Sequence, residues 1–320
     1  MKLLIVNNLA SGFRDGAIYD FMRAFASDGD EICVRCTDGD TDLADFLRDA
    51  EDFDAVVAAG GDGTVASAAY LLAETGIPLL PFPAGTANLL ARNLRLPLRR
   101  PRAAARAALI GAARPLDAGL ADITFGDGRL GRDCFLVVAG LGRDAEAIAR
   151  TSPRLKRRLG WLAYLRVGAS LMGRPPIAMD VTAADAGALP PAGRAEPGRE
   201  KSAPLEHPCR IDAWTVLVGN CPRLPAGIAI FPDARPDDGR VDLVLASPDK
   251  PTDWGAITTR ILARAIDAPG IERAQAKVVT FDVDAPIAYQ IDGDAMGECS
   301  HLEATTLTHV LRIMAPARRR

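Results

Sequence analysis

The stretch Ala55-Val56-Val57-Ala58-Ala59-Gly60-Gly61-Asp62-Gly63-Thr64-Val65 constrains the fold of this chain more than any other. Its short apolar run reads as a strand buried on both faces, the kind found in parallel sheets. The run stops at Gly60-Gly61-Asp62-Gly63-Thr64, and the Ala-rich, Gly-free segment from Val65 to Glu74 then reads as a helix. A strand feeding a glycine turn at a helix N-terminus presents backbone N–H groups without helical partners, and the helix dipole favours negative charge there. Glycines let a phosphate come against the backbone with no Cβ in the way. A carboxylate inside such a cradle, Asp62, calls for a metal ion or a polar ligand beside it. The alternative is a tight strand-to-helix turn that Asp62 merely caps.

The flanking sequence alternates in the same way. Leu3–Val6, Glu31–Cys36, Ala55–Ala59 and Ile77–Phe82 read as strands. Ile18–Ala26, Leu43–Ala50 and Arg102–Gly111 read as helices between or after them. Such alternation predicts an α/β domain over residues 1–116, a parallel sheet covered by helices. Ligands on such sheets sit outside the carboxyl ends of the strands. Four loops then converge: Asn7–Gly12, Thr37, Gly60–Thr64 and Pro83–Asn88. From Leu116 the pattern turns to strands with few helices: Leu116–Phe125, Cys134–Ala139, Ile177–Thr182, Ile211–Val218, Val241–Ala246, Val278–Val283 and Ile287–Ile291. This predicts a mostly antiparallel, β-rich second domain over 117–305, with a mobile Pro-, Ala- and Gly-rich insertion near 183–208. The last apolar strand, Val310–Met314, is expected to return to the first domain, which then includes 306–320.

Composition removes several function classes. With 38 basic against 41 acidic residues the chain has no bulk positive charge for nucleic acid. No apolar run approaches the ~18–20 residues of a transmembrane helix, and Met1 leads directly into a strand rather than a leader pattern. Six scattered cysteines fit reduced thiols, and the lone Cys33-Val34-Arg35-Cys36 lies within a strand. A cytoplasmic protein is the expectation. The segment Pro153–Arg166 combines Arg154, Lys156, Arg157 and Arg158 with Trp161, Tyr164 and leucines. It suits either an amphipathic helix at an anionic membrane surface, within 153–172, or a charged helix packing its apolar side inward.

The chemistry narrows by elimination. There is no GxxxxGK[ST], and the GxGxxA matches at Gly61–Ala66 and Gly140–Ala145 lack the acidic strand end of a dinucleotide site. His207, His301 and His309 form no metal-ligand pair. Phosphate-binding loops plus carboxylates remain, and these point to phosphoryl transfer, which needs donors around the phosphates, a divalent cation and a base for the acceptor's proton. Pro83-Ala84-Gly85-Thr86-Ala87-Asn88 supplies a second turn into a helix.

Gly60–Thr64 followed by Pro83–Asn88 resembles the diacylglycerol kinase/sphingosine kinase catalytic family, in its bacterial soluble lipid-kinase branch. Asn8, Ser11 and Gly12 are similar to its first nucleotide loop, with Leu9 in place of proline, and Thr37 to the threonine after its second strand. Gly140–Glu146, Gly219-Asn220 through Ala234, Asp238–Asp242 and Ile291-Asp292-Gly293-Asp294 resemble later motifs in order. The resemblance implies an α/β nucleotide-binding domain plus a β-sandwich-like domain, with the active site in the cleft between them. It implies ATP bound through Asn8, Ser11, Gly12, Thr37, Gly60, Gly61, Gly63, Thr64, Thr86 and Asn88. It implies a catalytic Mg²⁺ organised by Asp62, and a structural Mg²⁺ on Arg235, Asp238 and Arg240, the arginines through their backbone carbonyls. It implies that the base on the lipid hydroxyl is Asp292 or Asp294. The expected activity is ATP- and Mg²⁺-dependent phosphorylation of a diacylglycerol or a ceramide-like lipid, by a protein in peripheral membrane contact. A homodimer is allowed for. NAD kinase and a catalytically silent nucleotide- or lipid-sensing module are the alternatives.

Overall fold

The computed structural model describes residues 1–11, 17–38, 42–98, 100–152, 170–185, 208–224, 228–248 and 270–316, together with positions 167, 253, 257 and 259. The chain divides into two compact units, Met1–Ala118 with Thr308–Arg320, and Gly119–Leu307.

The first unit contains β1 (Lys2–Asn8), α1 (Ala17–Arg23), β2 (Glu31–Thr37), α2 (Leu43–Leu47), β3 (Ala55–Gly60), α3 (Asp62–Leu72), β4 (Pro78–Pro83), α4 (Leu89–Asn93) and α5 (Pro101–Leu109). The far end of β14 (Asp294–Ala315) also belongs to it. Arg312 and Ile313 pair with Pro78 and Leu79, so the sheet order is β14-β4-β3-β1-β2 and every described pairing is parallel. All six residues of β3 are buried, as an apolar run without alternation demands when helices cover both faces. Ala104 and Ala105 of α5 and Ile18 and Met22 of α1 pack on one face against Leu3, Ile5 and Val57. Helix α3 buries Val65, Ala68, Ala69 and Leu72, one stripe at helical spacing. It begins at Asp62, three residues before the expected start, so the glycine turn is itself the first helical turn.

The second unit is built of antiparallel strands: β5 (Ala112–Phe125, its first residues in the first unit), β6 (Leu130–Phe135), β7 (Val138–Gly142), β8 (Ile177–Ala184), β9 (Cys209–Ala213), β10 (Thr215–Gly219), β11 (Val241–Ala246), β12 (Ile271–Ala276), β13 (Val278–Ile291) and β14. One path runs β12-β11-β10-β7-β13-β14, with β8 joining β13 to β9 and β5 pairing with β14 and β6. Phe135, Phe281, Tyr289, Leu243, Val216 and Leu302 lie in its core.

Several expected strands are divided differently. Cys134–Ala139 is two strands, β6 and β7, interrupted at Leu136-Val137, whose amides turn to a side chain described below. Ile211–Val218 breaks at Trp214, where the indole N–H donates to the Leu171 carbonyl at 3.1 Å and the ring packs on Ala147 and Leu171. Val278–Val283 and Ile287–Ile291 are one strand, β13, irregular between them because its first half pairs with β8 and its second with β7. Helix α6 (Arg143–Arg150) and strand β12 carry no expectation from sequence. Ala183 and Ala184, assigned to the insertion, pair with Val279 and Val278 in β8. The rest of that insertion, 186–207, lies outside the described residues, as do Gly12, Pro153–Arg166 and 225–227.

Candidate active site

In the first unit the predicted loops do gather at the carboxyl ends of β1, β2, β3 and β4. Asn8 stands opposite Thr37 in the β1–β2 register, and its side-chain amide donates to the Thr64 hydroxyl at 3.0 Å. Its carbonyl oxygen accepts the Ala10 N–H at 3.0 Å, which shapes the turn toward Ser11. Thr64 folds back over Gly60, where an added Cβ would lie 2.4 Å from the threonine Cβ. The first bond of α3 runs from Val65 N–H to Gly61 C=O, so the amides of Gly63 and Thr64 fall outside the helical ladder. These are the donors a phosphate cradle needs. Thr37 is buried and Thr86 is exposed at the tip of its loop.

The two glycine loops are pressed together. Ala84 N–H donates to Gly60 C=O at 3.2 Å, and a Cβ on Gly85 would sit 2.5 Å from the Gly61 Cα. Backbone cannot yield as a flexible side chain can, so only glycine fits at 85. The Asp62 carboxylate accepts the Leu89 N–H, the first amide of α4, and so ties the two loops together. Asp62 is a cap after all, though of the other loop's helix. Asn88 adopts a left-handed conformation at φ 48°. Its side chain accepts from Gly85 N–H at 2.8 Å and donates to Gly85 C=O at 2.6 Å. Expected as a nucleotide ligand, Asn88 is here engaged in closing its own loop. Arg92, which no motif signalled, donates from Nε to the Ala87 carbonyl at 2.5 Å and pins the same loop from behind.

In the second unit the two candidate bases, two residues apart, have opposite surroundings. Asp292 is buried at 6 % exposure, with φ 48°. Its carboxylate accepts three amides, those of Leu136, Val137 and Val138, each at 2.9 Å. Burial pushes it up to about 6, against the pull of those three donors. This nest is the reason the apolar run at Cys134–Ala139 cannot be one strand: the amides at 136 and 137 serve Asp292 rather than a ladder. Asp294 is exposed at the hairpin between β13 and β14. The turn has a second anchor, because Gln290, also buried, accepts the Gly293 N–H at 2.8 Å. Gln290 in turn bonds Asp144, a part-buried carboxyl to which the Thr215 hydroxyl donates and which desolvation pushes up to about 6. Asp144 lies in the Gly140–Glu146 motif, yet nothing in its sequence context announced a partner on β13.

The Asp-Gly loop borders an open cavity of about 450 Å³ lined by Pro232, Asp233, Ala234, Arg235, Asp238 and Gln275. Arg240 N–H donates to the Asp238 carboxylate at 3.1 Å. Behind them Asp242 is buried. One of its oxygens accepts from Gln275 at 3.0 Å and the other has no hydrogen-bond partner among the described residues. Burial pushes Asp242 up to about 7, with the charges of Asp238 and Asp233 adding to the shift. An orphaned buried carboxylate oxygen repelled by two carboxylates fits a cation at this loop. Among the described residues no three His, Cys, Asp or Glu side chains gather as a metal site. Among the same residues no helix is long and apolar enough to cross a membrane.

Residues 2–121 match the family described as the diacylglycerol kinase catalytic domain, and residues 138–315 match the YegS C-terminal NAD kinase beta sandwich-like domain. A Pseudomonas aeruginosa protein named "Probable lipid kinase YegS-like" is 34% identical over 227 residues, 69% of this chain and 64% of that protein. A Bacillus subtilis protein named diacylglycerol kinase is 31% identical over 155 residues, 47% of this chain and 48% of its own length. The chain thus spans less than two thirds of these relatives. A crystal structure of a diacylglycerol kinase from Bacillus anthracis shares the fold at a TM-score of 0.62 and 18% identity, covering 99% of this chain and 97% of that one.

Proposed function

The chain belongs to the diacylglycerol kinase catalytic family, in its bacterial YegS-like branch, and on that premise we propose that it transfers the γ-phosphoryl group of ATP to the hydroxyl of a lipid, a diacylglycerol or a ceramide-like acceptor. The observation that carries the reading is the pair of glycine loops bound to each other through Asp62, with helix-terminal amides beside them. Phosphoryl transfer asks mainly for positioning and charge stabilisation, and this arrangement supplies both. Gly61, Gly63, Thr64 and Thr86 hold the triphosphate, Asn8 orients the Thr64 hydroxyl, and Asn88 and Arg92 keep the second loop in shape. Asp62 would hold the divalent cation that comes with ATP, which would neutralise charge on the phosphates. A structural cation would be held by Asp238 and the backbone carbonyls of Arg235 and Arg240, with Asp242 supplying charge behind them.

Asp294 is the general base, because its carboxylate is exposed while that of Asp292 is committed to three amides. The acceptor O–H gives its proton to Asp294. Its oxygen bonds to the γ-phosphorus as the bond to the bridging oxygen breaks, and ADP leaves. Asp292 is then a positioning residue for the turn. The test incubates the protein with γ-labelled ATP and Mg²⁺ over diacylglycerol, ceramide, sphingosine and phosphatidylglycerol, with NAD as a separate acceptor. Label in a lipid is expected, and Asp62→Asn should abolish it. Label in NADP alone would establish the NAD kinase alternative, and ATP binding with no labelled product would establish the silent module.

A further inference from the structure

From Thr75 to Leu116 the chain has 42 residues with no Asp or Glu and with seven arginines: Arg92, Arg95, Arg99, Arg100, Arg102, Arg106 and Arg114. In a chain of net charge −3 this is a local inversion of sign. Two of these arginines have structural duties. Arg92 pins the Ala87 carbonyl, and Arg114 donates to the Pro316 carbonyl at 2.8 Å. Arg95, Arg100, Arg102 and Arg106 are exposed and make no ion pair among the described residues. On α5, Ala104 and Ala105 are buried against α1 and the sheet, which turns Arg102 and Arg106 outward. Ile110 follows at the next helical spacing and is 73% exposed. The neighbouring α1 carries Asp20 and Arg23 and adds no net charge.

Exposed guanidinium groups are well hydrated singly, but a cluster of them without acidic neighbours along the chain, beside an exposed isoleucine, complements a surface that is anionic outside and apolar beneath. We propose that the face formed by Arg100, Arg102, Arg106 and Ile110 docks on anionic lipid headgroups, with the arginines on phosphate and Ile110 entering the acyl boundary. This deepens the kinase reading by naming the surface on which a lipid acceptor is met, and it rests on that reading for its biological purpose. Its physical content is independent of turnover. Arginine suits this role because its planar fork pairs bidentately with phosphate oxygens.

The test is co-sedimentation with vesicles of phosphatidylcholine containing 0 or about 30% phosphatidylglycerol, without ATP or acceptor, at low and high salt. Binding only to the anionic vesicles, weakening with salt, is expected. Each cation near such a surface contributes about 1 kcal/mol, so Arg100→Gln/Arg102→Gln/Arg106→Gln should lower the partition coefficient on the order of a hundredfold, with the thermal midpoint unchanged. Ile110→Ser alone should lower it less and leave the salt dependence intact. Equal binding of wild type and triple variant overturns the proposal, as does binding to a polynucleotide but not to vesicles. Phosphorylation of a short-chain, water-soluble diacylglycerol separates the two claims. If the triple variant keeps that activity and loses activity on vesicles, docking is the affected step. If wild type phosphorylates no lipid yet binds vesicles through this face, the kinase reading fails and the docking surface stands.

Discussion

Replacing Asp292 tests the structural logic of the turn most directly. Asp292→Asn is the informative change, because asparagine tolerates the left-handed backbone at φ 48° and nearly preserves volume. Its carbonyl oxygen can keep the Val137 and Val138 amides, which share one carboxylate oxygen, but its NH₂ then faces the Leu136 N–H. One buried donor is left facing another, at a cost of ~1–3 kcal/mol. Asp292→Ala strands all three amides, on the order of 3–9 kcal/mol, and adds backbone strain of about 1 kcal/mol. For a unit of this size each kcal/mol lowers the melting midpoint by roughly 2–4 °C. The asparagine variant should therefore melt about 5 °C lower, and the alanine variant at least twice as far below wild type. Calorimetry measures the midpoint, and hydrogen exchange at residues 136–138 should accelerate in both variants. A variant pair that melts with wild type, or amides whose protection is unchanged, would refute the assignment of Asp292 as the anchor of the break between β6 and β7.

Three further outcomes follow from the same geometry. Asp294→Asn should lower turnover by ~10²–10⁴-fold, the range for a lost general base, with melting unchanged because the side chain is exposed; full turnover in this variant would return the base role to Asp292. Gly85→Ala forces the two glycine loops apart, since its Cβ would meet the Gly61 Cα at 2.5 Å, and a displacement near 1 Å costs about 10²-fold in catalysis. Steady-state kinetics should show the loss on the nucleotide side, and an unchanged KM for ATP together with unchanged kcat would exclude the cradle. Asp242, pushed up to about 7, keeps its proton in the fold while the unfolded chain has lost it. Between about pH 4 and 7 the folded state thus binds the extra proton, and stability falls as pH rises through that window. Melting in chelator should show this slope, and Asp242→Asn or added Mg²⁺ should flatten it; identical slopes in wild type and variant would refute the linkage.

The parts of the fold that were legible in the sequence are those decided by local pattern. β3 is legible because it is five apolar residues bounded by glycine, and the β1 to β4 alternation because each strand ends at a polar turn. What escaped is what depends on a partner far along the chain. Cys134–Ala139 is apolar throughout, so no periodicity could divide it, and the group that does divide it, Asp292, lies 155 residues from Val137. Trp214 breaks Ile211–Val218 in the same way, because its indole donates to the Leu171 carbonyl far away in sequence. The pairing of Asp144 with Thr215 and Gln290 escaped for the same reason.

The candidate site divides along the same line. Glycines at 60, 61 and 85 mark a close approach of backbone, but not whether that approach serves a ligand or the other loop, and Gly85 against Gly61 serves the loop. Asp62 likewise reads from sequence as a ligand to metal or as a cap, and its bond to Leu89 N–H gives it the second duty without removing the first. Asp292 and Asp294 are chemically identical and two residues apart, so no local rule could separate them. Their separation comes from the β6–β7 break, which turns three amides toward one carboxylate and none of those three toward the other. A buried group already engaged by three amides is poorly placed to meet an acceptor hydroxyl and makes a good anchor. That physical asymmetry, rather than any feature of the motif, is what supports our proposal that Asp294 is the base.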